Sequence, residues 1–232
     1  MKTYHVLYFG TWGYGRAGLE ALLEQPNVNI AKVFTKWNLE SDNIYLNQVY
    51  NLSIVNDLNL VNTATERMPK EDFNSTVLNS GTIDFIISCC YDRIFSTALL
   101  QFPTIGALNL HPSLLPKYRG IKPLENAIIN QEQEMGVTLH ELVKELDAGD
   151  IILQKAAPIR SEQTYGELYN QQCLLIRDII NEFFSDPEHY FNNKKPQNHL
   201  QKSEAPRLGF NIMDTDKVNE IIQKNAVYLH NH

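Results

Sequence analysis

Apolar residues in this chain form short continuous runs that alternate with segments of helical periodicity. The first run, Tyr4–Phe9, predicts a buried strand, Gly10–Gly15 predicts a glycine-rich turn, and Ala17–Glu24 has apolar residues at helical spacing. A second strand is predicted over Val28–Thr35. This strand–helix–strand order implies a parallel sheet with a right-handed crossover.

The pattern is weaker between residues 36 and 70 and clear again beyond them. The weak segment predicts a short helix over 42–52, a short strand over 53–56 and a loop over 59–69. The clear part predicts helices over 71–79, 96–101, 124–130 and 164–184, and strands over 83–89, up to 111, 136–143 and 151–154. This repeated alternation indicates a doubly wound α/β fold with a mostly parallel sheet.

The end of the chain differs in composition from this regular part. Residues 1–185 are predicted to form one domain, because no second apolar core is large enough for another. Residues 186–232 are rich in Asn, Lys, His and Pro, and we predict a short C-terminal extension with a loop and a helix over Asp216–Leu229.

One predicted strand carries polar residues where an apolar run is expected. It ends with Asn109, Leu110 and His111 and is followed by Pro112. Residues two apart in a strand share a face, so Asn109 and His111 point to the same side. Buried parallel strands are ordinarily apolar throughout, and ligands bind at the carboxyl ends of the strands in open α/β sheets. We therefore expect the active site at this strand end.

An imidazole beside an amide is suited to acyl transfer. A histidine with the ordinary pKa of about 6.5 accepts a proton near neutral pH, and an amide NH₂ can donate to a developing oxyanion. A carboxylate could orient the imidazole, and Asp92, Asp147 and Asp150 are candidates among which spacing does not choose. The structural alternative makes His111 a core histidine and Asp147 a turn residue.

A second pattern, Gly13-x-Gly15-x-x-Gly18, matches the fingerprint of dinucleotide-binding turns. Such sites also need an acidic residue where the second strand ends, but that strand ends Thr35-Lys36-Trp37, and Glu40 lies beyond it. We expect a supporting turn whose Trp12 and Tyr14 contact a ligand. An NAD-dependent dehydrogenase and a non-catalytic sugar-nucleotide binder are the alternatives from other functional classes.

The amino-acid composition limits the kinds of partner and environment that we expect for this protein. The chain has 232 residues and a net charge of -7, which disfavours nonspecific binding to nucleic acid. No apolar run reaches the roughly 20 residues of a membrane helix, and no signal-peptide cleavage region precedes the first strand. Two of the three cysteines, Cys89 and Cys90, are adjacent, and we expect them to be core residues without a disulfide framework. We expect a cytoplasmic protein without a metal site.

The stretch from Asn109-x-His111 through Pro-Ser-Leu-Leu-Pro-Lys-Tyr-Arg to Gly120 resembles a known family, together with Gly136-Val-Thr-Leu-His140 and Leu146-Asp147-Ala-Gly149-Asp150. These motifs are similar to those of the formyltransferases that use 10-formyltetrahydrofolate. The resemblance extends over about residues 1–160 and implies a Rossmann-like formyltransferase domain. It implies a catalytic trio of Asn109, His111 and Asp147.

The resemblance also implies the ligand contacts. The folate co-substrate is expected to bind the loop after the strand that precedes the trio and the segment around Asp147, which gives Cys90, Tyr91, Asp92, Ile94, Leu146 and Asp150. For the diphosphate of the acceptor, we expect contacts from Trp12, Tyr14, Lys117 and Arg119.

Within the family, the chain most resembles sugar N-formyltransferases that act on nucleotide-linked 4-amino sugars of the dTDP-4-amino-4,6-dideoxyglucose type, in the synthesis of surface glycans such as lipopolysaccharide O-antigen. Its first turn departs from the Gly-Ser-Asn turn of phosphoribosylglycinamide formyltransferases, which are the alternative. It is also shorter and more acidic than methionyl-tRNA formyltransferases. The expected partner is a nucleotide-linked amino sugar rather than nucleic acid or a membrane, with a homodimeric state.

Overall fold

A seven-stranded sheet is the centre of the structure, a computed structural model that describes residues 2–41, 46–64 and 68–205. The strands are β1 (Tyr4–Gly10), β2 (Val28–Thr35), β3 (Leu60–Asn62), β4 (Phe85–Cys89), β5 (Gly106–His111), β6 (Arg119–Gly120), β7 (Glu134–Glu141), β8 (Ile151–Pro158) and β9 (Glu204–Ala205), of which β6 and β9 pair separately. The order across the sheet is β3-β2-β1-β4-β5-β7-β8; β1 to β5 are parallel, and β7 and β8 are antiparallel to their neighbours. The predicted α/β class with a mostly parallel sheet is confirmed.

Helices cover both faces of the sheet, which explains the unbroken apolar runs of the central strands. The helices are α1 (Trp12–Leu23), α2 (Gln48–Val55), α3 (Lys70–Leu78), α4 (Thr97–Leu100), α5 (Pro123–Ile129), α6 (Tyr165–Phe183) and α7 (Pro187–Asn192), with a 3₁₀ turn over His199–Gln201. In β1, Val6 and Tyr8 pack towards α1 and α6, whereas Leu7 and Phe9 pack towards α3 and α4.

Two local predictions between residues 46 and 64 are wrong. The predicted strand over 53–56 belongs to α2, because Val49 and Ser53, four residues apart, are buried on one helix face despite the β-branched Ile54 and Val55. The predicted loop over 59–69 contains β3, which pairs with the end of β2. Residues 42–45 of the predicted helix, like the predicted helix over 216–229, lie outside the described residues.

The predicted glycine-rich turn is also wrong, because α1 begins at Trp12, one residue after β1. Gly13, Gly15 and Gly18 therefore lie inside the helix. A Cβ on Gly15 would lie 2.9 Å from the backbone carbonyl carbon of Gly10, and one on Gly18 would lie 2.6 Å from the Tyr8 hydroxyl. The glycines thus let α1 pack closely against β1. Thr11 is the single residue that joins β1 to α1, so this connection has no loop to surround a pyrophosphate.

Helix α6 fixes the chain that follows β5. It begins with a capping box between Thr164 and Glu167. Its buried Gln172 donates hydrogen bonds to the carbonyl oxygens of Pro112 and Gly136, at 2.8 and 3.0 Å, and accepts one from the Tyr14 hydroxyl. Gln172 therefore holds Pro112, the residue after His111, against β7 and α1.

The segment after α7 returns to the edge of the sheet that carries His111. The backbones of Ile151 and Lys195 pair as an isolated bridge, and β9 pairs with β6 in parallel. Residues 186–205 therefore lie against the domain predicted over residues 1–185.

Replacing Gln172 by leucine should destabilise the protein. The change leaves two buried carbonyls and a buried hydroxyl without their partner, which should lower the free energy of unfolding by at least about 2 kcal/mol. Asn170→Leu, an exposed position on the same helix, is the control and should change it by less than about 0.5 kcal/mol. Urea unfolding measures both; equal midpoints for the two variants would contradict this role of Gln172.

Candidate active site

The carboxyl end of β5 brings His111 next to the turn that follows β7. Both His111 and Asp147 are buried, and the Nδ1 atom of His111 lies 3.6 Å from Oδ2 of Asp147. The Nε2 atom of His111 lies 2.8 Å from the carbonyl oxygen of Tyr118, to which it donates a hydrogen bond. In the neutral ring, Nδ1 is therefore the nitrogen that carries the lone pair.

The structure also separates the three candidate carboxylates. Asp92 forms an exposed ion pair with Lys36, at 2.6 Å. Asp150 accepts a hydrogen bond from the amide of Glu141 through its main-chain carbonyl. Of these three, only Asp147 has a carboxylate oxygen within 4 Å of a ring nitrogen of His111.

Asp147 is held in a left-handed backbone conformation, with φ of 50°. Its Oδ2 accepts a hydrogen bond of 2.9 Å from the amide of Gly120. Two residues later, a Cβ on Gly149 would lie 1.9 Å from the carbonyl oxygen of Glu141, so this turn needs glycine to pass so close to β7. Steric and hydrogen-bond constraints together place the carboxylate.

A second buried histidine, His140, lies in the site, and none of the predicted roles involves it. Its Nδ1 lies 2.9 Å from the carbonyl oxygen of Glu141 and donates to it, while its Nε2 lies 3.1 Å from Nδ2 of Asn109 and accepts from it. Burial lowers the pKa of His140 to about 4, so the ring is neutral at neutral pH. The acceptor on His140 fixes which side of the Asn109 amide carries the NH₂ group.

The register between β5 and β7 explains why His140 was missed. Asn109 lies directly opposite His140 in an antiparallel pair. The sequence shows the Gly136–His140 motif, but neither the antiparallel direction of β7 nor this register follows from it. The signal available in the sequence was a polar residue, His140, within a strand that is otherwise buried.

The residues predicted to contact folate lie on two loops, one that follows β4 and one that joins β7 to β8. Ile94, after β4, is 86% exposed, and Leu146, before the Asp147 turn, is 66% exposed. Such exposed apolar side chains are suited to a flat aromatic ligand. Cys90 has a φ of 52°, whereas the ring of Tyr91 packs against Phe9 in the core.

Of the four residues predicted to contact the acceptor, two are accessible. Trp12, at the end of β1, is 42% exposed and has a φ of 60°. Lys117 is exposed and lies 3.3 Å from Glu132. Tyr14 is buried and its hydroxyl is bonded to Gln172, so its placement does not fit the predicted ligand contact.

Arg119 likewise does not fit the predicted phosphate contact, because its guanidinium is buried and already bound within the protein. Nε and Nη2 donate to the side-chain oxygen of Gln197, at 3.2 and 2.7 Å. Nη2 also lies 3.1 Å from Nδ1 of His199, and Nη1 lies 3.3 Å from the carboxylate of Glu145. The sequence could not show this, because the partners come from distant segments.

In residues 2–41, 46–64 and 68–205, no set of three or more His, Cys, Asp or Glu side chains is arranged to hold a metal ion. No helix in this part of the chain has the length and apolar character needed to span a membrane. Cys89, Cys90 and Cys173 are free thiols, and burial raises the pKa of Cys173 to about 12.

Comparison with known proteins assigns the family. Residues 5–174 match the family model described as "Formyl transferase". This chain belongs to the formyltransferase family. The membership confirms the predicted enzyme class and overturns the dehydrogenase alternative.

Similar sequences include a methionyl-tRNA formyltransferase from Lactobacillus delbrueckii subsp. bulgaricus, 34% identical over 88% of this chain and 64% of that protein. A methionyl-tRNA formyltransferase from Streptococcus uberis is 30% identical over 88% of this chain and 65% of that protein. The chain therefore spans less than two thirds of the length of these relatives.

Similar solved structures have the same fold. Glycinamide ribonucleotide transformylase 1 from Symbiobacterium toebii has 20% identity and a TM-score of 0.66, over 78% of this chain and 85% of that one. WlaRD, a sugar 3N-formyl transferase solved in the presence of dTDP and 5-N-formyl-THF, has 22% identity and a TM-score of 0.68, over 91% of this chain and 72% of that one. The same sheet architecture thus occurs with different acceptors.

The neutral His140 should make stability depend on pH. Its pKa is lowered in the folded state, to about 4, so the unfolded chain binds more protons between pH 4 and about 6.5. Stability should therefore fall as the pH decreases through this window, by up to about 1.4 kcal/mol per pH unit from this group. His140→Gln should reduce that slope in urea unfolding. An unchanged slope would show that His140 does not contribute.

Proposed function

We propose that this protein transfers a formyl group from 10-formyltetrahydrofolate to the amine of a nucleotide-linked amino sugar. The observation that carries the proposal is the buried pair of His111 and Asp147 beside the amide of Asn109, at the carboxyl edge of the sheet in a formyltransferase-family chain. This arrangement offers a base, a group that stabilises its charged form and an oxyanion donor.

His111 is the proposed base. Its Nε2 hydrogen is already donated to the carbonyl of Tyr118, so Nδ1 receives the proton that the attacking amine loses, directly or through water. When the tetrahedral adduct collapses, the bond from the formyl carbon to N10 of the folate breaks, and the same proton passes to N10, which leaves as tetrahydrofolate. The resulting imidazolium has two acceptors, the Tyr118 carbonyl and the Asp147 carboxylate. The Tyr118 carbonyl sets the tautomer of the neutral ring, and the Asp147 carboxylate lies beside the nitrogen that takes the proton.

Asn109 is the proposed oxyanion donor. One hydrogen of its NH₂ group is directed to Nε2 of His140, which leaves the second for the formyl oxygen as the carbonyl carbon becomes tetrahedral. The neutral state of His140 matters here, because an imidazolium at that position would have no lone pair for Asn109.

The formyl donor is proposed to bind between the loops that carry Ile94 and Leu146. Their exposed apolar side chains would contact its ring system, and the loop backbones at Cys90–Asp92 and Asp150 would supply polar contacts. Tyr91 would contribute through its backbone, because its ring packs with Phe9 and Phe73.

For the acceptor, the sugar-nucleotide proposal is supported by charge and by aromatic side chains at two strand ends, of which Trp12 is exposed and Trp37 is half-buried. A net charge of -7 is unfavourable for a large RNA ligand. Trp12 follows β1, and Trp37, stacked on Tyr50 with ring centroids 5.0 Å apart, follows the neighbouring β2. These rings are suited to stacking on a nucleobase, and Lys117 to pairing with a diphosphate.

Methionyl-tRNA is the second candidate acceptor, because the sequence relatives at 30–34% identity are methionyl-tRNA formyltransferases. Glycinamide ribonucleotide is the third, from the solved structures of similar fold. The type of amino sugar, a role in O-antigen synthesis, the homodimer and a cytoplasmic location stay predictions.

Removing the proposed base or the oxyanion donor should nearly abolish formyl transfer without unfolding the protein. We expect His111→Ala to lower kcat by about 10²–10⁴-fold and Asn109→Ala by about 10²–10³-fold. His5→Ala and Asn29→Ala, which lie at the opposite edge of the sheet, are matched controls. Near wild-type kcat in either site variant would refute that residue's role.

To identify the acceptor, the protein is supplied with 10-formyltetrahydrofolate and each of four amines, and the products are identified by mass spectrometry. The four are a dTDP-linked 4-amino-4,6-dideoxy sugar, a UDP-linked 4-amino sugar, glycinamide ribonucleotide and methionyl-tRNA. We expect formylation of a nucleotide sugar. Formylation of methionyl-tRNA or glycinamide ribonucleotide alone would reject the sugar acceptor and keep the reaction.

A further inference from the structure

The C-terminal segment 197–205 contacts both loops that hold the His111–Asp147 pair. Ser203 accepts hydrogen bonds from the amides of Tyr118, through its hydroxyl at 2.9 Å, and of Arg119, through its carbonyl at 3.0 Å. The Tyr118 carbonyl in turn accepts from His111. One side of this short loop therefore binds the C-terminal segment, and the other binds the proposed base.

Gln197 makes the connection to the second loop. Its buried amide nitrogen donates to the carbonyl oxygens of Asp147 and Gly149, at 2.8 and 2.7 Å, while its oxygen accepts twice from Arg119. All four contacts use the donor and acceptor capacity of one amide group. Gln197 thus ties the turn that presents Asp147 to the loop that holds His111.

We propose that Gln197 is a positioning residue that sets the distance between Asp147 and His111. The Asp147–His111 separation of 3.6 Å has no direct hydrogen bond to maintain it. It depends on the Gly120 amide, which donates to Asp147, and on the backbone of the turn, which Gln197 holds. The expected effect of Gln197 on catalysis rests on the proposed function, whereas its expected effect on the structure does not.

Gln197→Glu tests the donor role. A carboxylate still accepts from Arg119 but cannot donate to the Asp147 and Gly149 carbonyls, so the turn loses its restraint while the buried guanidinium keeps a partner. Gln197→Ala removes both the donor and the acceptor role, and it controls for the negative charge that Gln197→Glu adds. Leu200→Ala is the matched control, because that side chain is 96% exposed on the same segment.

The first measurement is hydrogen exchange of the Gly120 amide, which reports the bond to Asp147 and needs no substrate. Exchange should be about tenfold faster in both Gln197 variants and unchanged in Leu200→Ala, with the β4 and β5 amides unaffected. Unchanged Gly120 exchange in both Gln197 variants would overturn the inference even if the protein proves to have a different reaction.

The second measurement is kinetic. If the wild-type protein turns over, kcat should fall about ten- to a hundredfold in Gln197→Glu, because a small displacement of a catalytic group is costly. This fall should exceed any rise in KM for the formyl donor, whose proposed site includes the same turn. In an Asp147→Asn background the same change should have little further effect. Additive losses in the double variant would overturn a role of Gln197 through Asp147. If the wild-type protein formylates none of the tested acceptors, that result contradicts only the proposed function.

Discussion

The site depends on the contact between two loops that are distant in sequence. The loop after β5 supplies the Tyr118 carbonyl, which fixes the His111 ring, and the Gly120 amide, which holds the Asp147 carboxylate. Neither loop has regular structure of its own apart from the two residues of β6. Their meeting therefore depends on the antiparallel pairing of β5 with β7 and on the segments that pack around the two loops.

Burying so many polar groups in one place is unfavourable unless each has a partner. His140 illustrates how this is achieved, because burial keeps it neutral and its two nitrogens are used by Glu141 and Asn109. Arg119 is a buried cation whose partners include Gln197 and His199. A network of this kind is rigid when complete, which is what a positioned base and oxyanion donor require.

The features that follow from local periodicity could be predicted from the sequence. The shared face of Asn109 and His111 follows from the two-residue repeat of a strand, and the sheet class follows from alternating elements. The choice of Asp147 needed the resemblance to a family, because spacing left three carboxylates. His140 and Gln197 could not be found, since an antiparallel register and the return of the C-terminal segment are tertiary facts. The glycine motif was misread because spacing alone does not show where a helix begins; close packing of α1 on β1 accounts for it.

Asn109 and His111 are proposed to act on the formyl group of a folate. The most direct test is a crystal structure with 5-formyltetrahydrofolate, the formyl-folate used with WlaRD. We predict the folate ring system between Ile94 and Leu146, with the formyl group facing Asn109 and His111. A folate bound elsewhere, or with its formyl group directed away from both side chains, would contradict this account.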